Sequence, residues 1–423
     1  MTKRYTLLET LDHLLDSSET EDALEDSEPE DSEPEDSEPP EDNTGLEDYQ
    51  ESDDDCEEGD ADQTFTSKNG QVTWSTTPPS QGPGRASAAR VTKLTPGPTR
   101  YACSRVEDIK SSFLLFFPPS IQSILVEMTN LEGKRVYDAD WRDVDWTDIE
   151  AFIGLLILAG VYRSNNEALS SLWEAETGRA IFCAVMTLKR FKTLSRVIRF
   201  DDRATRPARR ETDKLAPIRD LWDLWVERLP LMFNPGSDVT VDECLVPFRG
   251  RCSFKQYMPS KPAKYGLKIW AACDARTSYA WNMQVYTGKP RGGQPERNQG
   301  MRVVLDLTTG LQGHTVTCDN FFTSYALGQE LLRRKLTMVG TVRKNKPELP
   351  PALLTTRDRA VFSSLFAFNE THTIVSYCPK RHKNVLLMST CHKDGKISDR
   401  EDKKPEVILE YNRCKGGVDN LDK

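Results

Sequence analysis

The chain has 423 residues, with 56 Lys and Arg against 66 Asp and Glu, and its formal net charge is −10. This average conceals two opposite parts. Residues 1–62 contain 27 acidic and 2 basic residues, so residues 63–423 contain 39 acidic and 54 basic ones. An acidic tail on a body with a net charge of +15 makes nucleic acid a candidate partner.

Cysteine spacing and hydropathy exclude several classes of protein. None of the ten cysteines forms a CxxC pair, which indicates reduced intracellular thiols and argues against a zinc ribbon. The longest apolar run, Phe152 to Tyr162, is shorter than the roughly 20 residues that span a membrane. No apolar segment follows the N-terminus, so we expect no signal peptide.

The acidic tail contains three tandem copies of Glu-Asp-Ser-Glu-Pro between Glu25 and Pro39. Such a composition cannot bury enough apolar surface to offset the entropy of ordering the chain. We therefore expect residues 1–104 to form a disordered acidic tail followed by a Ser/Thr/Pro/Gly linker. Ser27 and Ser32 each precede a glutamate by three positions, so an acid-directed kinase is a candidate partner.

Residues 105–230 show helical patterns and predict a helical domain. Thr147-Asp-Ile-Glu150 has the spacing of a capping box directly before the apolar run Ala151–Ala159. Further helical patterns cover residues 167–174, 178–200 and 213–230.

The pattern changes to mixed α/β over residues 231–345. Three runs rich in β-branched and aromatic residues predict consecutive antiparallel strands: Ser237–Phe248, Gly266–Asp274 and Tyr279–Tyr286. A predicted helix, strand, helix and strand follow: Gly300–Thr308, Thr315–Cys318, Tyr325–Lys335 and Leu336–Val342. Residues 346–410 predict a β-rich insert with strands in 360–368, 371–377 and 384–389, and the overall class is α/β.

Four aspartates stand where they could bind a cation. Asp242 lies inside a strand that is otherwise apolar, and Asp319 follows the strand Thr315–Cys318 directly. An unpaired buried carboxylate is costly, so each needs a salt bridge or a metal ion, and the residues alone leave both open. Asp419 and Asp422 have the spacing of one helix face after Gly416 and Gly417, although most such pairs are solvated.

Several motifs in a fixed order resemble the piggyBac family of DDE/D transposases and the proteins derived from them. The matching stretches are Trp146–Gly160, Arg190–Asp201, Asp213–Arg219, Val241–Arg251, Lys261–Lys268, Cys318–Ser324, Val339–Arg343 and Tyr411–Asp422. The resemblance runs from about residue 105 to the end of the chain. It implies a ribonuclease H-like catalytic core over 231–345, interrupted by the β-rich insert and preceded by a helical dimerisation and DNA-binding domain.

The resemblance also implies a site and a chemistry. Asp242, Asp319 and Asp419 correspond to the catalytic, metal-binding triad, and Asp422 corresponds to a fourth aspartate that supports activity. The expected cofactors are two Mg²⁺ or Mn²⁺ ions, and the expected reaction is cleavage of DNA strands and their transfer to a TTAA target. Double-stranded DNA is the expected partner, a homodimer is a candidate assembly, and the expected location is the nucleus.

One departure from the family leaves the enzymatic activity open. Residues 411–423 contain only the start of the helix that bears Asp419, so we expect a helix without a packing face and an impaired activity. The alternatives are a domesticated DNA- or chromatin-binding protein without turnover, and an inactive transposon fragment.

Basic residues interleave with aromatic ones beside Asp242. The predicted DNA-contacting residues are Arg249, Arg251, Lys255, Lys261, Lys264 and Lys268, with Arg343 and Lys344 further along the chain. A solvated loop between strands is the alternative. The five histidines show no metal-ligand spacing, and His392 is predicted to lie on the surface of the insert.

Overall fold

The computed structural model describes residues 64–79, 94–288 and 296–422. The predicted acidic tail, including Ser27 and Ser32, lies outside these residues. The described residues form two compact units: unit 1 contains 94–288, 296–310 and 416–422, and unit 2 contains 64–79 and 311–415. The division after Gly310 falls inside the stretch predicted as the α/β core. Among the described helices, none is both long and apolar enough to cross a membrane.

The first part of unit 1 is helical, in agreement with the pattern of its sequence. Its helices are α1 (Arg100–Cys103), α2 (Ile109–Leu114), α3 (Pro119–Tyr137), α4 (Trp146–Val161), α5 (Ala180–Val185), α6 (Leu188–Val197), α7 (Arg206–Arg210) and α8 (Arg219–Met232). A ninth helix, α9 (Gln299–Leu307), follows the strands of this unit and confirms the helix predicted at Gly300–Thr308.

Helix α4 is the centre of the helical core. Its residues Ile149, Phe152 and Leu155 recur at helical spacing and are buried against α3 and α6. The N-cap is Asp145, whose side chain accepts a hydrogen bond from the N–H of Asp148 at 2.9 Å. The capping box predicted at Thr147 was therefore misplaced, because the helix begins one residue before it.

The helix predicted over residues 178–200 is two helices. Helix α5 ends before Met186, whose backbone is extended, and α6 begins after Thr187. The Thr187 side chain caps α6 by accepting a hydrogen bond from the N–H of Arg190 at 3.2 Å.

Unit 1 also contains antiparallel strands. They are β3 (Gly97–Pro98), β4 (Phe233–Asn234), β5 (Asp238–Pro247), β6 (Gln256–Tyr257), β7 (Tyr265–Asp274) and β8 (Ala280–Val285). Strand β7 pairs with β5, β6 and β8, and β3 pairs with β4. The three antiparallel strands predicted from the sequence are confirmed as β5, β7 and β8, and the short β6, which was not predicted, lies between the first two.

Unit 2 contains seven strands of a mixed sheet. Its strands are β1 (Thr64–Thr66), β2 (Thr73–Ser75), β9 (Thr315–Cys318), β10 (Thr337–Thr341), β11 (Ser364–Phe368), β12 (Thr373–Lys380) and β13 (Lys383–Ser389), in the order β1-β2-β11-β12-β13-β10-β9. Helix α10 (Tyr325–Arg333) connects the parallel pair β9–β10, and α11 (Glu406–Cys414) follows the last strand. Because β13 pairs with β10, the strands of the predicted insert extend the sheet that β9 and β10 begin.

The hairpin β1–β2 lies within residues 63–104, the stretch predicted as a Ser/Thr/Pro/Gly linker. Trp74 of β2 is 0% exposed, and its indole N–H donates to the carbonyl of Glu348 at 3.0 Å. Its ring meets Tyr325 edge to face at 6.0 Å. The large side chain of Trp74 therefore helps to hold a short hairpin in place. The many Ser, Thr and Gly residues around it gave no sign of this hairpin in the sequence.

Candidate active site

Strand β5 places Asp242 in a buried setting. Val239 and Val241 are fully buried, and Asp242 is half-buried opposite Ala271 of β7. One carboxylate oxygen of Asp242 accepts a hydrogen bond from the N–H of Glu243 at 2.8 Å. Asp242 therefore lies inside a largely buried strand, as the sequence predicted.

The segment after α11 packs onto this part of unit 1. Val418 is fully buried among Cys244, Ile269 and Ala271. At Gly417 a Cβ atom would lie 2.5 Å from Oγ1 of Thr240, so glycine permits the backbone to approach β5. The expectation of a segment without a packing face is therefore wrong, because the apolar contact is made by the residues just before the acids.

Asp419 and Asp422 occupy one turn of 3₁₀ helix, Asp419–Asp422, and not the α-helix expected from the family. A 3₁₀ helix has three residues per turn, so positions i and i+3 share a side. Both carboxylates accordingly face Lys261, whose Nζ lies 2.8 Å from Oδ2 of Asp422 and 4.0 Å from Oδ1 of Asp419.

The two acids differ in exposure and in partners. The Asp422 side chain is 8% exposed, and its other oxygen accepts the N–H of Leu245 on β5 at 2.9 Å. The Asp419 side chain is 57% exposed. Asp422 therefore joins the turn to the strand, while Asp419 presents its carboxylate to solvent.

Lys261 sits among negative charges. Its side chain is 15% exposed and also donates to the carbonyl of Glu243 at 2.8 Å. Burial lowers the pKa of Lys261, but the hydrogen bond to Asp422 and the charges of Asp422 and Asp242 raise it, and the net shift is upward. The ammonium thus stays charged at neutral pH and forms an ion pair with the turn.

Asp319 lies in unit 2, directly after β9. One carboxylate oxygen accepts the N–H of Phe321 at 2.9 Å, and its carbonyl accepts the Thr323 hydroxyl at 2.7 Å. At Gly340 of β10 a Cβ atom would lie 2.1 Å from that hydroxyl oxygen, so the turn packs closely on the neighbouring strand. The turn holds Asp319 half-buried at the end of its strand.

The predicted DNA-contacting residues fall into two groups. The exposed ones are Arg249, Arg251, Lys264 and Lys344. The half-buried ones are Lys255, Lys261, Lys268 and Arg343. Within the second group, Lys268 lies 3.9 Å from Glu243 and over the ring of Trp270, and Arg343 donates to Asn320 at 3.3 Å. Residues of the second group thus make contacts within the protein. That either group binds DNA stays a prediction.

Sequence reasoning missed two features. The ion pair between Lys261 and Asp422 could not be predicted from a local sequence pattern, because the two residues are 161 positions apart. His392, predicted on the surface, has a side chain only 10% exposed and pairs with Glu410 at 3.2 Å. Its adjacency to Cys391 was the one available signal, and the partner on α11 is distant in sequence.

Comparisons with known proteins agree with this architecture. Residues 110–423 match the family model described as Transposase IS4. The human PiggyBac transposable element-derived protein 3 is 26% identical over 334 residues, which cover 73% of this chain and 54% of that protein. The human Chimeric ERCC6-PGBD3 protein is also 26% identical over 334 residues, covering 73% of this chain and 30% of that protein. The chain thus spans about half, or less, of the length of these curated relatives.

A solved structure extends the likeness to three dimensions. The cryo-EM structure of a piggyBac transposase synaptic complex with hairpin DNA contains a chain that is 38% identical, with a TM-score of 0.73. The match covers 78% of this chain and 70% of that chain. The matched family model defines the class, which is that of the transposases. Within that class, the chain belongs to the piggyBac family.

Proposed function

We propose that this protein binds double-stranded DNA in the nucleus and that its acids support metal-dependent cleavage and transfer of DNA strands, with TTAA as the target. The observation that carries the proposal is the docked turn, in which Lys261 and the N–H of Leu245 hold Asp422 while Asp419 faces solvent next to it. A ribonuclease H-like core is the fold that we propose for the strands and helices bearing the acids, and the likeness to a piggyBac transposase supports it.

The donor set fits hard divalent cations. Asp242, Asp319 and Asp419 offer only carboxylate oxygens, which Mg²⁺ and Mn²⁺ prefer to nitrogen or sulfur. We propose each of these three residues as a metal ligand, with Asp319 assigned from its motif and from its place at the end of β9. Such ions stabilise the charge that develops on the attacking and leaving oxygens in phosphoryl transfer.

Asp422 has a different role in this proposal. Both of its oxygens already accept hydrogen bonds, one from Lys261 and one from the N–H of Leu245. It therefore positions the turn, and Asp419 supplies the ligand. This division gives the fourth aspartate a physical reason to support activity without binding the metal.

The exposed basic residues are the proposed contacts to phosphate. Arg249, Arg251 and Lys264 are exposed around the hairpin that joins β5 to β7, and Lys344 is exposed in unit 2. Two tyrosines on this hairpin, Tyr257 and Tyr265, pair across β6 and β7 with ring centroids 4.7 Å apart and are themselves exposed. Guanidinium and ammonium groups bind phosphates through release of counterions, and exposed aromatic rings add contacts to sugar or base.

A second candidate function is DNA or chromatin binding without turnover. The observation that favours it is the similarity to a human protein described as derived from a transposable element. Such a protein would keep the basic surface, and its acids would serve stability alone.

A plasmid assay on the full chain separates the two candidates. Supercoiled DNA containing TTAA is incubated with the protein and Mg²⁺ or Mn²⁺, beside Asp419→Asn, Asp242→Asn and an EDTA control. Nicking or joining that requires the metal and both acids supports catalysis. Salt-dependent binding without any nicking supports the second candidate, and absence of DNA binding at low salt contradicts both.

A further inference from the structure

A cluster of polar side chains lies in unit 2. Ser389 ends strand β13, Cys391 and His392 follow it, and Glu410 lies on the facing helix α11. Nothing in the proposed DNA chemistry uses these residues.

The four side chains form a continuous chain of hydrogen bonds. Nε2 of His392 lies 3.2 Å from Oε2 of Glu410. On the other side of the ring, Nδ1 lies 2.8 Å from the Ser389 hydroxyl and 3.4 Å from Sγ of Cys391. The Ser389 hydroxyl oxygen lies 3.2 Å from the same sulfur. The imidazole is thus held between a carboxylate and a thiol.

The surroundings keep this imidazole protonated. Burial alone lowers the pKa of His392, but hydrogen bonds with Cys391 and Glu410, together with their charges, raise it to about 9. A protonated ring donates from both nitrogens, so Nε2 donates to Glu410 and Nδ1 to the side of the ring that holds Ser389 and Cys391. Lys393 adds a second positive charge near the sulfur.

We propose that Cys391 is a modification site, a nucleophilic thiol that the Glu410–His392 pair activates toward small soft electrophiles. An imidazolium beside a sulfur stabilises the thiolate, which is the reactive form. In the reaction with iodoacetamide, the sulfur forms a bond to carbon, the carbon–iodine bond breaks, and iodide leaves with the electron pair. The proton that the sulfur gave up passes to solvent, because His392 is already protonated. Cys391 is only partly buried, which allows a small reagent to reach it.

A bound metal ion is the competing explanation. Sγ of Cys391, a ring nitrogen of His392 and an oxygen of Glu410 lie within 4.8 Å of one another. A metal ion, however, takes one ring nitrogen and needs it unprotonated. Here the two other groups lie at opposite nitrogens of the ring, which is the geometry of a proton relay.

Alkylation rates of individual cysteines test the proposal. The full chain is treated with iodoacetamide at pH 7, and each site is followed by peptide mass spectrometry. Cys103 and Cys183 are exposed thiols and serve as references, and buried Cys378 reports unfolding. We expect Cys391 to react about tenfold faster than both references although it is less exposed.

Matched variants assign the cause. Glu410→Gln and His392→Gln should slow Cys391 by about tenfold, while Glu406→Gln should leave its rate unchanged. Glu406 lies on the same helix and pairs with Lys396 at 3.1 Å, away from the relay. Protection of Cys378 must persist in each variant, which shows that the fold is intact.

Two results would overturn the proposal. One is a Cys391 rate at or below that of Cys103 in the native chain. The other is stoichiometric Zn²⁺ that blocks Cys391 until a chelator is added and that Cys391→Ser no longer retains, since this would make the cluster a metal site.

Discussion

Nζ of Lys261 lies 2.8 Å from Oδ2 of Asp422, across 161 positions of sequence, and this ion pair fastens the segment that carries Asp419 to strand β5. The pair joins a basic residue of the loop before β7 to an acid near the end of the chain. It explains how a single turn of 3₁₀ helix can hold a carboxylate in a defined place.

Removing the cation of this pair should weaken the fold. Lys261→Met leaves Asp422 buried with only its backbone hydrogen bond, and we expect the free energy of unfolding to fall by about 2 kcal/mol. Denaturant titration measures the change, with the exposed Lys264→Met as the control. Combining Lys261→Met with Asp422→Asn should cost less than the sum of the two single changes, and full additivity would contradict the pairing.

Substitutions of the two acids of the turn should have different effects, one on metal binding and the other on the stability of the fold. Asp419→Asn changes an exposed carboxylate, so we expect a loss of Mn²⁺ binding with a change in unfolding free energy below about 0.5 kcal/mol. Asp422→Asn breaks the pair with Lys261 and should lower the melting temperature. Calorimetric titration with Mn²⁺ and thermal melts measure both effects, and an unchanged affinity in Asp419→Asn would contradict its role as a ligand.

The two glycines before the turn provide a matched pair of substitutions. A Cβ at Gly417 would lie 2.5 Å from Oγ1 of buried Thr240, whereas a Cβ at Gly416 would meet open space. Gly417→Ala should therefore destabilise the protein by about 1–3 kcal/mol and impair metal binding. Gly416→Ala should be neutral in both measurements, and equal effects of the two changes would show that the turn is not docked as described.

Stability should decline in acid because of one buried histidine. Burial lowers the pKa of His372 to about 3, while an unfolded histidine titrates near 6.5. The unfolded state therefore takes up a proton below about pH 6.5 and the folded state does not, so stability falls as pH decreases from there toward 3, by at most about 1.4 kcal/mol per pH unit. Subtracting the pH profile of His372→Asn from that of the native chain should isolate this slope, and identical profiles would contradict it.

The N-terminal hairpin should depend strongly on its buried Trp74. Trp74→Ala removes a fully buried indole and its hydrogen bond to Glu348, and we expect a loss of about 3–5 kcal/mol in unit 2. Limited proteolysis should then cut within residues 64–79. Thr73→Ala, an exposed change on the same strand, should leave the cleavage pattern unchanged; protection of the hairpin in Trp74→Ala would show that other contacts hold it.

Apart from the short strand β6, the order of strands and helices from β5 to β13 could be predicted from the sequence, because alternation and helical periodicity are local properties of the chain. The family could be predicted as well, since several motifs occur in a fixed order. The break between α5 and α6 and the cap at Asp145 were missed, because helix ends depend on one or two residues whose side-chain hydrogen bonds the periodicity does not report.

The amino-acid sequence by itself determined the acid on β5, the acid that follows β9, the paired aspartates near the end and the basic residues of the segment between β5 and β7. Only the tertiary structure decided that Lys261 pairs with Asp422, that Trp74 anchors a hairpin within an apparent linker, and that His392 lies between Cys391 and Glu410. Each of these contacts depends on the packing of one element against another that is distant in sequence or that has no recognisable sequence pattern. Such contacts leave no periodic trace in the chain, so they appear only once burial brings the side chains together.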